Sequence, residues 1–153
     1  MKHLTSQEKD SRLGEWHALR AVSVDHSVPG TPDPEIYGLV DRLNEIEGVC
    51  VIQSCSGHKS SERKAEGRTF KRAILWLRVE ERLLRAFEGL ASRLYSSPLV
   101  DEVCVRYGRE VGPVIEVIFD GKESGRLGRS RRHLISFFNE LAGADAPASR
   151  YGT

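Results

Sequence analysis

The stretch Val49-Cys-Val-Ile-Gln-Ser-Cys-Ser-Gly-His58 decides how the rest of the chain is read. Its first half, Val49 to Gln53, is apolar and β-branched, which suits a strand. Its second half, Ser54 to Gly57, turns to small polar residues, which suits a turn. The apolar run does not alternate, so the sequence predicts a strand buried on both faces, near the centre of a sheet. A strand ending in Ser-Cys-Ser-Gly brings two hydroxyls, a thiol and free backbone N–H groups to one spot, with His58 beside them. Loops held by rigid elements are where function tends to sit.

Upstream of this stretch, Ile36, Leu39, Val40, Leu43 and Ile46 recur at helical spacing. Asp33 is the expected N-cap, Pro34 the first helical residue and Gly48 the left-handed stop. Residues 27–34 are rich in proline and read as a linker inside one domain. Before them, Thr5-Ser-Gln-Glu8 looks like a capping box opening a helix over 6–21 that docks on the sheet. Downstream, strands are expected over 72–79, 99–107 and 113–119, with a hairpin turn at Gly108–Gly112. Helices are expected over 80–95 and 130–142, the latter stopped by Gly143.

The resulting order, α-α-β-β-α-β-β-α, predicts an α+β fold: a mixed sheet of at least four strands with helices packed on it. One domain covers 1–153, divided into an N-terminal helix and linker (1–32), the α+β core (33–143) and a flexible tail (144–153). The length of 153 residues suits a single hydrophobic core. No apolar run is long enough to cross a bilayer, so the expectation is a cytoplasmic protein without a membrane partner. The three cysteines, Cys50, Cys55 and Cys104, lack the spacing of a disulfide framework or a zinc knuckle, and no metal site is expected. Neither a dinucleotide fingerprint nor a P-loop is present.

Three chemistries suit the Ser54–His58 turn. It can be an anion-binding nest of N–H groups and hydroxyls. It can carry Cys55 as a nucleophile with His58 as base. It can place Cys55 and His58 on a metal, although no further ligands stand at supporting spacing. A plain tight turn with an inert half-buried cysteine is the bland alternative. Charge favours the anion. The net charge is only +1, yet Lys59, Arg63, Lys64, Arg68, Lys71 and Arg72 follow the turn with only Glu62 and Glu66 against them. Arg126, Arg129, Arg131 and Arg132, with His133, form a second basic segment at the start of the last helix, where cations oppose the helix dipole. A bound phosphate would relieve that opposition. Tyr107, between Arg106 and Arg109, is a candidate for stacking on a base, whereas Trp76 reads as core.

Asp33-Pro-Glu-Ile36, Leu43-Asn44 and above all Ser54-Cys-Ser-Gly57 after an apolar strand resemble the tRNA wybutosine-synthesizing protein 3 family. Where that family carries arginine after the glycine, this chain has His58. The resemblance implies an RNA-modification protein that methylates a tricyclic guanosine of tRNA with S-adenosylmethionine as cofactor. It implies that Ser54, Cys55, Ser56 and Gly57 line the substrate or cofactor pocket, which His58 adjoins, with no residue assigned to catalysis. The arginines and lysines would hold the phosphates of a tRNA or similar ligand. The rival expectation is a non-enzymatic anion- or RNA-binding module using the same residues.

Overall fold

The computed structural model describes residues 2–22, 36–55, 72–121 and 124–151. The elements are α1 (Ser6–Val22), α2 (Tyr37–Asn44), β1 (Val49–Cys55), β2 (Ala73–Val79), α3 (Glu81–Tyr95), β3 (Val100–Gly108), β4 (Gly112–Phe119) and α4 (Leu127–Tyr151). This is the expected α+β order. The strands form one four-stranded sheet in the order β1-β2-β4-β3. Every neighbouring pair is antiparallel, so the sheet is antiparallel rather than mixed.

Each strand divides its side chains between two faces because successive residues point opposite ways. Leu75, Leu77 and Val79 of β2 and Ile115, Val117 and Phe119 of β4 enter the core. There they meet Leu39 and Leu43 of α2, Leu83 and Phe87 of α3, and Leu134, Phe137 and Phe138 of α4. Phe137 stacks edge-on against both Phe87 and Phe138, at 6.0 and 5.2 Å between centroids. The helices α2, α3 and α4 thus cover one face, and their apolar stripes supply most of the burial that holds the fold.

The strand read as central is an edge. β1 pairs only with β2 among the described residues. Its lack of alternation has a local cause. Val49 faces the core, while Cys50 lies opposite Arg78 on the other face and is still fully buried, beside α1, which packs on β1. The register then shifts between Val51 and Gln53, a bulge at Ile52 that also breaks the period of two. β1 runs on to Cys55, so Ser54 and Cys55 are strand residues rather than turn residues.

The N-terminus is tied down by polar contacts. Thr5 Oγ1 accepts from the Glu8 N–H at 3.1 Å, as a cap should. The Glu8 carboxylate turns instead to Arg78, accepting from Nη2 at 2.9 Å and Nε at 3.1 Å, and also takes Arg12 Nε at 2.9 Å. Arg78 Nη1 donates to the carbonyls of Lys2 and Pro113, at 3.0 and 3.1 Å. Gly112, at φ +81°, leaves room for that strap, since a Cβ there would stand 1.9 Å from the Lys2 oxygen. Lys9 Nζ donates to the Ile46 carbonyl at 2.7 Å, and Trp16 Nε1 to Asp41 Oδ1 at 2.8 Å. The expected docking of the first helix is therefore realised, against β1 and α2.

Other boundaries shift modestly. Gly48 has φ +82°, but α2 already ends at Asn44 and the glycine belongs to the turn that follows. α4 continues through Gly143 to Tyr151 instead of stopping there. The capping by Asp33 and Pro34 lies outside the described residues.

Candidate functional site at one end of the sheet

Asn44 is the last residue of α2 and is buried. Its Oδ1 accepts the Val51 N–H at 2.8 Å. A buried amide in this position ties the end of the helix to β1 at the bulge. The bulge in turn sets the direction in which Gln53, Ser54 and Cys55 leave. Ser54 pairs with Leu75 and Cys55 with Ile74, and both side chains are half-buried. Ser54 shares its face with Leu75 and the helices, whereas Cys55 shares its face with Ile74 and Trp76. The remainder of the expected pocket, Ser56, Gly57 and His58, lies outside the described residues, as do Lys59, Arg63, Lys64 and Arg68.

β1 ends where β2 begins, where β4 ends and where the chain enters α4. This sheet end is strongly charged. Asp120, just beyond β4, is buried, and its Oδ1 accepts from Arg72 Nη1 at 3.1 Å. Arg126 Nη2 stands 2.9 Å from Oδ2, a charge contact without the alignment of a hydrogen bond. Arg72 also pairs with Asp101 at the start of β3. The Asp120 carboxylate thus gathers two guanidinium groups beyond β4, with Arg72 reaching on to β3. It also answers part of the electrostatic puzzle at the start of α4, since Arg126 opposes the helix dipole beside a buried acid.

The other members of the second basic segment separate. Arg129 and Arg132 are exposed, and Arg131 is half-buried. His133 Nε2 lies 2.9 Å from the Leu94 carbonyl, which gives it a part in closing the end of α3. Ser124 Oγ accepts from the Arg126 N–H at 3.0 Å, which fixes the entry to α4. No group of three or more metal-ligating side chains occurs among the described residues, and no described helix is long and apolar enough to cross a membrane.

A second polar cluster went unread in the sequence. On the sheet face opposite the core, Trp76 Nε1 donates to Glu116 Oε2 at 2.6 Å. Arg106 grips the same carboxylate with Nε at 3.2 Å and Nη2 at 3.0 Å. The Cys104 thiol lies 3.6 Å from Oε1. Glu116 is only 6% exposed, and the Arg106 hydrogen bonds hold its carboxyl below the ordinary range against the opposing effect of burial. Burial and then the Glu116 charge push the Cys104 thiol up. The available signal was Glu116 in the apolar Ile-Glu-Val of β4, because buried charge requires a partner. Trp76 is half-buried here rather than core, and Tyr107 is 60% exposed.

No protein-family model matches the chain, and no curated protein does. Among solved structures the chain is similar to the PH1069 protein from Pyrococcus horikoshii, with 13% sequence identity over 91% of this chain and 94% of that one and a TM-score of 0.44.

Proposed function

We propose that the protein modifies RNA, holding a tRNA-like substrate at the sheet end where β1 finishes. The observation that carries this reading is that Ser54 and Cys55 end β1 at the same end of the sheet as Arg72 and Arg126, which Asp120 holds beyond β4. Guanidinium pairs suit phosphate oxygens, and phosphate contacts supply most RNA affinity. The Asn44–Val51 bond adds support: Leu43-Asn44 is part of the motif that resembles the wybutosine family, and Asn44 steadies the strand leading into the Ser-Cys-Ser-Gly segment. In this reading S-adenosylmethionine supplies the methyl group to a base of the tRNA. The chain's own contribution is positional. It holds the RNA backbone by charge and presents the acceptor base to the Ser54–His58 segment in line for transfer. A protein with this role works in the cytoplasm.

Calorimetric titration of the whole protein with tRNA, at two salt concentrations, and separately with S-adenosylmethionine tests the proposal. Binding of tRNA should weaken as salt rises. Arg126→Ala, which removes one of the two guanidinium groups at this sheet end, should lower the log–log salt slope by about 1. Saturable S-adenosylmethionine binding supports the methyltransferase reading. Salt-sensitive tRNA binding without it reduces the protein to a binding module, and absence of tRNA binding at low salt overturns both.

A further inference from the structure

β3 is the other edge of the sheet, and among the described residues its strand partner is β4 alone. Its register on β4 shifts between Val100 and Glu102, so regular pairing begins at Glu102. Glu102, Cys104 and Arg106 point to the face that carries Glu116, while Val103 and Val105 pack toward the core. Exposed edge strands invite a further strand unless something opposes it, and charged side chains are the usual obstacle. The charges here are ordered in a way that admits one partner.

We propose that β3 pairs antiparallel with β3 of a second copy, centred on Cys104, to make a continuous eight-stranded sheet across a two-fold axis. In this register Glu102 of each chain stands opposite Arg106 of the other, and Val103 opposite Val105. The register is selected by charge and by face. A slip of one residue sets core-facing valines against the outer face. A slip of two leaves Glu102 and Arg106 opposite uncharged residues. Arg106 spends Nε and Nη2 on Glu116 and keeps Nη1 for the incoming carboxylate. Glu102 forms no ion pair among the described residues and is exposed. A two-fold interface of this kind is self-complementary, as most homodimers are. Being short, it should be reversible, with a dissociation constant in roughly the micromolar range or weaker.

Sedimentation of the whole protein over a concentration series should show a monomer–dimer equilibrium. Glu102→Lys replaces two attractions by two repulsions and should weaken the dimer about tenfold or more. The substituted side chain is exposed and lies outside the core, so circular dichroism should be unchanged. Opposed residues of paired strands lie within disulfide reach. Diamide, which takes up the two electrons and two protons released by two thiols, should therefore yield a covalent dimer at mildly alkaline pH. Cys104→Ser should abolish that product and Cys55→Ser should not. A protein monomeric at all concentrations, or a dimer indifferent to Glu102→Lys and not cross-linked through Cys104, overturns the proposal.

Discussion

Glu116 sits in the middle of β4 with Ile115 and Val117 on either side, and three neighbours share its carboxylate. Hydrogen bonds from Arg106 lower its pKa from the ordinary 4.5, and a hydrogen bond from Arg78 does the same for Glu8. The unfolded chain therefore holds more protons than the folded one between pH 4.5 and the lower folded values. The contribution of both groups is complete above that pH and is lost as pH falls through the folded pKa. Urea unfolding at a series of pH values checks this. Glu116→Gln should flatten the acid limb and leave the Glu8 part in place. It should also cost about 1–3 kcal/mol at neutral pH, because charged hydrogen bonds to Arg106 and Trp76 are weakened. An acid limb as steep in the variant as in the parent would remove Glu116 from the account.

At the scale of elements, α2 and β1 behave as one unit because a single side chain joins them. Asn44 completes the helix and accepts from the strand at its bulge. Asn44→Ala removes that acceptor and should destabilise the fold by about 1–2 kcal/mol. Amide exchange at Val51 and through Ser54 and Cys55 should quicken more than in β4, since β1 is an edge strand. Uniform exchange across the sheet would mean that the bond does not steady β1. The helix–turn–strand order here was legible from residue types alone, through the spacing of Leu39, Val40 and Leu43 and the left-handed Gly48. The central position assigned to β1 was not. Non-alternating burial has two origins, a central strand or an edge covered by something remote, and β1 is buried at Cys50 where α1 packs against it.

At the scale of the molecule, the two sheet faces are treated differently. Three helices seal one face with apolar side chains, whereas charge fastens the N-terminal segment to the other through Arg78. Glu8→Ala leaves an arginine whose side chain is only 3% exposed without its acid. The expected cost is about 3 kcal/mol, read from urea unfolding, with faster amide exchange in α1. A near-neutral substitution would show that the carbonyls of Lys2 and Pro113 suffice to hold Arg78. The same scale governs the candidate site. Asp120 lies 65 positions beyond Cys55 in numbering, yet both stand at one sheet end because β1 pairs with β2 and β2 with β4.

From the order of residues alone came the eight elements, their sequence along the chain and the apolar stripes of α3 and α4. These depend on local periodicity and on backbone preference, which neighbouring residues carry among themselves. Only the tertiary structure decided the strand order, the edge position of β1, the Arg72–Asp120–Arg126 cluster and the Trp76–Glu116–Arg106 network. Each of those joins residues from different strands or helices, and which strands meet is set by global packing rather than by local propensity.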